Sequence, residues 1–379
     1  MQHQMENRGL ERALICSILN KTFTSPMPSN INSSMLYRLA LRHRVGHQIQ
    51  QAIPDIDLFN HYCKNSQRKI FMHACETIRI SNVFNLHSIK HCFVKGPLLN
   101  VHLYGALNTR PCRDLDVWVP LTHYQQAMSC LEQLGYQQKT PLYPLVGFKK
   151  KYFLKHHHDT TWFHPTHKIW VELHFKLSHE GLNFFTFNQV AFQNITLLNQ
   201  PITTLSDDYH LLYLMMHGAM HAWSRLRWLH DVALYLESNR CDLNHVKHLA
   251  QQRQCEHVML QTFILLKKYF NIKNKVIDDW LQNPSRQVIK LAELAECFMH
   301  TDYEIHQGMK NIKMFYTYRI YLLHLAVRGQ KTKVMLGDLF KIDKVFPYVF
   351  IPKGFGFLYY LIYPIWVVRQ FFRKRCVAD

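Results

Sequence analysis

The sequence predicts an α+β protein in which a mixed β-sheet is flanked by helices. Two segments, 114–119 and 167–175, alternate polar and apolar residues as a strand with one buried face does. Apolar residues recur at helical spacing before and after these segments. A hydrophobic content of 48% is enough for substantial cores and excludes a mainly disordered chain. Four regions follow from this pattern: an N-terminal helical region at 1–87, a core at 88–204, a helical substrate or lid domain at 205–304, and a basic, aromatic C-terminal region at 305–379.

The N-terminal region is predicted to form a helical layer. Its two clearest helices are Leu10–Ile18 and Ser34–Ile53, and a polar cluster precedes the second of them. Within the second helix, the sequence Arg42-His43-Arg44 is typical of a solvated basic face, with contact to a ligand as the alternative.

A short strand, a glycine turn and a helix N-terminus follow one another at the start of the core. Cys92–Lys95 is apolar enough for a buried strand, and Gly96 permits a tight turn. Pro97 suits the first position of a helix that we expect to run from Pro97 to Tyr104 and to end at Gly105. Because a helix N-terminus presents free backbone N–H groups and the positive end of a dipole, this turn favours a phosphate.

The next predicted strand begins with two carboxylates on the same face. Asp114 and Asp116 are two residues apart, so they point the same way, while the apolar residues between and after them point into the core. Adjacent carboxylates repel each other, and a divalent cation such as Mg²⁺ relieves the repulsion and keeps positions open for substrate phosphates. Two solvated acids on an exposed strand are the alternative for so short a motif.

A third carboxylate lies in the second alternating segment. Glu172 shares one face of His167–Phe175 with Trp170 and His174, and it would stand beside the two aspartates if the strands were neighbours. Three acids around two metal ions, next to a glycine turn for phosphate, are what metal-dependent nucleotidyl transfer requires.

The rest of the core alternates helical and extended segments. Leu121–Leu134 has helical spacing and precedes Gly135, and strand-like segments follow at about Tyr143–Leu154 and Thr160–Phe163. This alternation favours a mixed sheet covered by helices.

A group of histidines, His156-His157-His158 with His164 and His167, raises the question of a metal site. Neighbouring residues of a strand point to opposite faces, so three consecutive histidines cannot easily bind one ion. The sequence at 163–167 is typical of a hairpin turn. We therefore expect a solvated loop, with weak phosphate contact as the alternative.

A helical region begins at Ser206, which is suited to cap the first helix. His217 and His221 lie four residues apart on one face of that helix, which is also the spacing of zinc ligands, although no third ligand accompanies them. In one interpretation they face a cleft beside Arg225 and Arg227, where cations would bind a triphosphate or an acceptor. In the other they pack between helices, and their ring nitrogens form hydrogen bonds with nearby groups. Three further helices are predicted beyond them: Leu243–Tyr269, Lys275–Leu281 and Ser285–His300.

The charge balance predicts anionic partners. With 45 Lys and Arg against 26 Asp and Glu, the formal net charge is +19, which attracts nucleotides, nucleic acid or an anionic membrane. The 10 cysteines include no Cys-x-x-Cys pair, as expected for reduced thiols in a cytosolic protein. The first residues show no secretory signal, so we expect a cytoplasmic protein. Peripheral attachment to a membrane would be compatible with that location.

The C-terminal region contains an apolar run at 355–368, interrupted by Pro364 and followed by Arg369 and the basic sequence at 373–375. The run is shorter than the roughly 20 residues that span a bilayer. It would either pack on the core of the protein or lie as an interfacial helix on an anionic membrane surface. The basic and aromatic residues upstream of it would also suit RNA, although no RNA-binding motif accompanies them.

The order of these motifs resembles that of the nucleotidyltransferase superfamily related to DNA polymerase beta, in which a glycine turn precedes Asp-x-Asp or Asp-x-Glu and a third acid. More closely, Lys-Gly-Pro-Leu-Leu, Leu-Tyr-Gly, Arg-Pro, Asp-Leu-Asp, Val-Glu-Leu-His, His-Gly and Arg-Leu-Arg-Trp-Leu are similar to the bacterial uncharacterised nucleotidyltransferase family, from about Leu36 onward. The resemblance implies a nucleotidyltransferase-type sheet, with Asp114, Asp116 and Glu172 as catalytic acids and ligands of Mg²⁺ or Mn²⁺. The residues expected to bind the nucleotide are Lys95, Gly96, Arg110, Arg113, His217, His221 and Arg227.

Two function hypotheses follow. The first is an enzyme that transfers a nucleoside monophosphate from a nucleoside triphosphate (NTP) to an unidentified acceptor, which is a small molecule, RNA or a protein, with release of pyrophosphate. The second is a catalytically inactive nucleotidyltransferase-fold module for binding or regulation, peripheral to a membrane or bound to RNA. Pro97 favours the second, because the superfamily usually has Gly-Ser or Gly-Gly at this turn and proline removes a hydroxyl and an N–H donor.

Overall fold

The computed structural model describes residues 2–177, 181–301, 312–327, 329–337 and 341–375, with side chains described between residues 9 and 369 of these ranges. The predicted boundary at 304 lies outside the described residues. The strands are β1 (Cys92–Phe93), β2 (Asp114–Trp118), β3 (Gln137–Thr140), β4 (Asp159–His164), β5 (Ile169–His174), β6 (Phe192–Leu197) and β7 (Gln200–Leu205). The helices are α1 (Gln2–Leu19), α2 (Ser33–His43), α3 (Gly46–Ala52), α4 (Asp57–Leu86), α5 (Pro97–Tyr104), α6 (Tyr124–Gln133), α7 (Gly147–His156), α8 (Asp207–Met220), α9 (Leu226–Ser238), α10 (Leu243–Gln252), α11 (Glu256–Phe270), α12 (Lys275–Trp280), α13 (Arg286–Met299), α14 (Ile312–Leu325), α15 (Lys331–Leu336) and α16 (Leu358–Arg375).

The central sheet has five strands in the order β1-β2-β5-β4-β3. Strands β2 and β5 are parallel neighbours, while β1–β2, β5–β4 and β4–β3 are antiparallel pairs. Strands β6 and β7 form a separate two-stranded hairpin. The predicted α+β class, with a mixed sheet flanked by helices, is therefore confirmed.

Two hydrophobic cores lie on either side of the glycine turn and β2. One core contains the N-terminal helices α1–α3 together with α8–α14. Helices from before and after the sheet in the sequence therefore share this core. The other core lies between the sheet and the helices α4, α6, α7 and α16. The apolar residues of β2, Leu115 and Val117, belong to the second core, as their alternation with the aspartates predicts.

Several predicted elements occur where the sequence placed them. Helix α5 runs from Pro97 to Tyr104 and ends at Gly105, whose φ of 68° is the left-handed conformation that ends helices. Ser206 is the residue before helix α8, and the turn between His164 and His167 joins β4 to β5 as a hairpin.

Several sequence predictions differ from the structure, among them the helix expected over Leu243–Tyr269, which is divided into α10 and α11. The strand expected within Tyr143–Leu154 is wrong, because α7 occupies most of this segment and buries Tyr152 and Phe153 on one face. The strand before it, β3, was not predicted because its sequence, Gln-Gln-Lys-Thr, contains no apolar residue. The helix expected over Ser34–Ile53 is broken into α2 and α3 at Arg44, which adopts a left-handed φ of 57°.

Among the described helices, none is both long enough and apolar enough to cross a lipid bilayer. The C-terminal helix α16 instead packs one side on the second core through Tyr359 and Tyr363.

Candidate active site

Strands β2 and β5 place two carboxylates side by side. Asp116 of β2 is directly opposite Glu172 of β5 in the parallel ladder, so both side chains project from the same face of the sheet. Asp114, at the start of β2, is opposite Trp170 and faces the same cavity as the other two acids. The sheet therefore brings the three predicted acids to one side of the molecule.

The end of β1 positions Lys95 and Gly96 against β2. The backbone N–H of Val94 donates to the carbonyl of Asp116 at 3.2 Å, which brings the following side chain, Lys95, over the acids. Gly96 has a φ of 72° and ψ of −141°, a backbone conformation that residues with a Cβ rarely adopt, and it precedes α5 directly. The glycine turn thus lies beside the carboxylates with the N-terminus of α5 next to it.

Two cations contact the carboxylates. The Nζ atom of Lys95 lies 2.7 Å from Oδ1 of Asp116, and Nε2 of His174 lies 3.3 Å from that same oxygen. His174 Nε2 also lies 3.5 Å from Oε2 of Glu172. In this arrangement the positive charges of Lys95 and a protonated His174 balance the negative charges of Asp116 and Glu172.

The pKa shifts of Asp116, His174 and Glu172 follow from their contacts. Burial alone would raise the pKa of Asp116, but Lys95 and the hydrogen bond from His174 outweigh burial and hold this pKa below its usual range. Burial disfavours the imidazolium of His174, yet hydrogen bonds to Asp116 and Glu172 raise its pKa to about 10. Burial raises the pKa of Glu172, and the nearby charge of Asp116 raises it further. The raised pKa of His174 favours its imidazolium form at neutral pH, beside the ammonium group of Lys95.

Asp116, Glu172 and His174 could hold a metal ion. One ligand atom from each lies within 4.8 Å of the ligand atoms of the other two. The sequence predicted Asp114 as the third ligand, and in the described part of the chain the compact group contains His174 instead. Asp114 lines the same cavity and remains a prediction as a ligand.

A cavity of about 390 Å³ opens above the acids, and six lysine and arginine residues contribute to its lining. Its lysine and arginine residues are Arg44, Lys95, Arg110, Arg113, Arg225 and Arg227. Burial lowers the pKa of Arg44, and repulsion from Arg227, Arg225 and Arg113 lowers it further. Burial and repulsion from Arg110 likewise lower the pKa of Arg227. A bound anion would relieve this mutual repulsion, which makes the cavity suited to a polyphosphate.

Arg110 is held in a buried ion pair. Its Nε and Nη2 atoms donate to the two carboxylate oxygens of Asp231 at 2.9 Å each, and the hydroxyl of Tyr104 donates to the same carboxylate at 2.8 Å. The backbone of Arg110 exchanges two hydrogen bonds with the side chain of Asn100. These contacts hold the wall of the cavity between α5 and α9 in place. Two nitrogen atoms of Arg110, Nε and Nη2, are thus already hydrogen-bonded to Asp231.

His217 and His221 lie at the end of α8 and line the cavity opposite the sheet. Their ring centroids are 4.5 Å apart, and the ring of His221 stacks on Trp228 at 4.8 Å. The guanidinium of Arg225 lies 5.2 Å from the centroid of Trp228. Arg227, on α9, donates from Nη1 to the carbonyl of Pro111 at 2.6 Å. The two histidines therefore belong to the cavity wall and to the packing between α8 and α9 at the same time.

Sequence reasoning missed several residues that line this cavity, and two of them, His174 and Arg44, bear directly on its charge. His174 was placed on the face of Glu172 without a role, although its spacing of two residues along the strand already indicated a position next to the acid. Arg44 was interpreted as part of a solvated helix face, whereas it lines the cavity and its neighbour His43 is buried. No local signal distinguishes Arg44, because its position depends on the break between α2 and α3.

Comparison with known proteins identifies the family of this chain. Residues 31–271 match the family model described as "Uncharacterised nucleotidyltransferase". A similar solved structure is that of an antigenic nucleotidyltransferase-like protein from Paracoccidioides brasiliensis, with 11% sequence identity, a TM-score of 0.31, and coverage of 53% of this chain and 93% of that chain. No curated protein matches the chain. The family model covers more than half of the sequence, and the chain therefore belongs to the family of uncharacterised nucleotidyltransferases.

Proposed function

We propose that the protein transfers a nucleoside monophosphate from an NTP to the hydroxyl group of an acceptor, with release of pyrophosphate. The observation that carries this proposal is the in-register pair of Asp116 and Glu172, which faces a cavity lined by arginines. Membership of a nucleotidyltransferase family supports the reaction class. The acceptor class, whether small molecule, RNA or protein, is left to experiment.

The donor groups fit a divalent cation such as Mg²⁺ or Mn²⁺. Asp116 and Glu172 would hold it through oxygen atoms, with Asp114 on the same strand and His174 within reach of the same point. When bound, such a cation neutralises phosphate charge during transfer and polarises the α-phosphate. His174 would have to release its proton before its nitrogen could serve as a ligand.

The remaining residues would bind and orient the NTP. Arg44, Arg113 and Arg227 surround the space in which the triphosphate would lie, and they would balance the charge that moves onto the pyrophosphate. Gly96 would let the backbone approach a phosphate, because glycine has no side chain and readily adopts the positive φ of this turn. Glu172 would be either a metal ligand or the acceptor of the proton that leaves the attacking hydroxyl. In the transfer, the hydroxyl oxygen bonds to the α-phosphorus as the bond between that phosphorus and the pyrophosphate oxygen breaks.

The test is transfer of label from NTPs carrying radioactive α-phosphate, with Mg²⁺ or Mn²⁺, to RNA, to protein and to a mixture of small hydroxylated molecules. We expect transfer by the wild-type protein and a loss of at least about a hundredfold in Asp116→Asn and Glu172→Gln, because both remove charge from the acid pair. The matched control is Glu132→Gln, which changes an exposed acid of α6 that lies outside the cavity. Equal transfer by the control and by Asp116→Asn would exclude this site as the catalytic centre.

A second function, an inactive module that binds nucleotides, is favoured by one observation. Lys95 and protonated His174 already balance the charges of Asp116 and Glu172, so this pair has counter-ions without a metal. Binding of NTPs without transfer to any acceptor class, unchanged by the addition of Mg²⁺ or Mn²⁺, would support the module and contradict the enzyme.

A further inference from the structure

The C-terminal helix α16 leaves an apolar face open. Its inner side packs on the core through Tyr359 and Tyr363, which are 2% and 6% exposed, and the Tyr359 hydroxyl donates to the carbonyl of Val349 at 2.9 Å. On the opposite side, Leu361, Ile365 and Val368 are 64%, 70% and 55% exposed. These three residues follow the spacing i, i+4 and i+7, so they form one stripe along the helix, which we call the outer face.

The outer face is unusual because solvated helix surfaces normally carry polar residues. From Leu358 to Val368 the helix contains no charged or amide side chain. A helix that is apolar on all sides is normally buried in a protein or in a lipid phase. Here only the inner side is buried by the described part of the chain, so the helix packs on the protein and still presents an apolar stripe.

Exposed aromatic residues lie in the segment before α16 and in its first turn. They are Tyr348, Phe350, Phe355, Phe357 and Tyr360. The loop before α16 also contacts α7, because a Cβ at Gly356 would lie within 2.9 Å of three ring atoms of Phe148. Aromatic side chains of this kind are common at the boundary between water and lipid headgroups.

Basic residues lie next to the same surface. Lys353 is exposed just before the helix, and Arg369 is exposed directly after the apolar run. The sequence adds Arg373, Lys374 and Arg375 in the last turn of α16, where the side chains are not described. This combination of an apolar stripe with adjacent cations complements a lipid surface of negative charge.

We propose that the outer face of α16 binds the surface of an anionic lipid bilayer, with the helix lying in the plane of the headgroups. The exposed aliphatic side chains favour lipid over RNA, because RNA binding needs cations and stacking rings but gains little from leucine, isoleucine and valine. The basic residues favour lipid over a second copy of this chain, because a second copy of α16 would bring a like charge to the interface. The helix has 18 residues, and the lipid-binding surface does not require that it cross the bilayer.

The experiment is flotation of the full chain with vesicles. One preparation contains phosphatidylcholine alone, and the other contains phosphatidylcholine mixed with phosphatidylserine. We expect the protein to float with the anionic vesicles and to be released by increasing salt, because part of the attraction is electrostatic.

Variants separate the outer face from general surface hydrophobicity. The combined substitution Leu361→Gln, Ile365→Gln and Val368→Gln should lower partitioning by at least about tenfold, because it removes aliphatic area that would enter the lipid. The matched control, Leu86→Gln with Val276→Gln and Ile289→Gln, changes three exposed aliphatic residues on other helices and should bind as the wild type does. Lys353→Gln with Arg369→Gln tests the electrostatic part without touching the apolar stripe, and should weaken binding to anionic vesicles only.

Three outcomes would overturn the proposal. The first is the absence of flotation with anionic vesicles at low salt. The second is equal flotation of the outer-face variant and its control. The third is a wild-type dimer in solution that the outer-face substitutions dissociate, or RNA binding that they abolish, while vesicle binding is absent throughout. Circular dichroism and the thermal midpoint of each variant show that the fold is retained.

Discussion

Lys95 and the buried Asp116 form a largely buried ion pair, with Nζ of the lysine 2.7 Å from Oδ1 of the aspartate. The contact joins the glycine turn at the end of β1 to the middle of β2. Because the pair lies at the floor of the cavity, it connects the stability of the fold to the charge of the site. Removing either partner leaves the other charge buried with fewer compensating groups.

We therefore expect Lys95→Met to destabilise the protein by roughly 3 kcal/mol, the lower end for breaking a buried pair, since His174 still contacts Asp116. Combining it with Asp116→Asn should recover part of that loss, because both charges are then absent. Urea unfolding of the wild type, the two single variants and the double variant measures the coupling. Purely additive effects would show that the two side chains do not stabilise each other.

The arginine cluster predicts opposite effects on stability and on binding. Arg44→Gln should leave the free energy of unfolding unchanged or slightly higher, because it removes repulsion from Arg227 and Arg225. It should weaken binding of inorganic tripolyphosphate about tenfold, a loss of about 1.4 kcal/mol. Titration calorimetry measures this affinity. We expect added salt to lower the affinity of the variant less than that of the wild type.

Arg38→Gln is the matched control for that prediction. Arg38 lies on α2, the helix that ends at Arg44, but it is exposed and does not line the cavity. Both substitutions lower the net charge by one, so a purely long-range effect would weaken binding equally. Equal losses in the two variants would contradict a local role for Arg44.

Arg110 and Asp231 should behave mainly as a structural pair. We expect Arg110→Gln and Asp231→Asn each to destabilise the protein by about 3–5 kcal/mol, because each leaves a buried charge without its partner. The double substitution should cost less than the sum of the single ones. Chemical unfolding of the four proteins tests this. If Arg110→Gln instead kept full stability and lost only NTP affinity, the arginine would be a ligand contact rather than a support.

The sequence predicted the acid pair because strand alternation is a local property. The spacing of Asp114 and Asp116, and of Glu172 with His174, determines which side chains share a face. Sequence alone does not determine that β2 and β5 are parallel neighbours with Asp116 opposite Glu172, because this pairing joins residues more than fifty positions apart. The sequence offered that neighbourhood only as a condition, and the family resemblance added the expectation of a third acid in the site.

Other parts of the fold depend on tertiary contacts that no local pattern shows. Helix α7 was predicted as a strand because its aromatic residues suit both states, and packing of Tyr152 on Phe346 favours the helix. Strand β3 is polar and exists through its pairing with β4. Arg44 faces the cavity because the chain turns there between α2 and α3. For α7 and β3 the deciding contact therefore lies outside the element itself, and for Arg44 it is the break between two helices.

Protonation of His210 should lower stability in mild acid. Its Nε2–H donates to the carbonyl of Val94 at 2.6 Å, so Nδ1 is the atom that accepts from the Tyr235 hydroxyl at 2.9 Å. The pKa of His210 is lowered to about 4, mainly by burial and further by the charge of His102. The hydrogen bond to Val94 and the charge of Asp207 act in the opposite direction but are weaker than burial. The folded state thus holds this histidine neutral at a pH where the unfolded chain protonates it. The stability that His210 contributes is therefore complete above about pH 6.5 and is lost as the pH falls towards 4, at up to about 1.4 kcal/mol per pH unit.

Urea unfolding at a series of pH values should show this slope in the wild type and a shallower one in His210→Gln, whose amide can donate to Val94 without titrating. Identical slopes in the two proteins would assign the acid sensitivity to other buried groups.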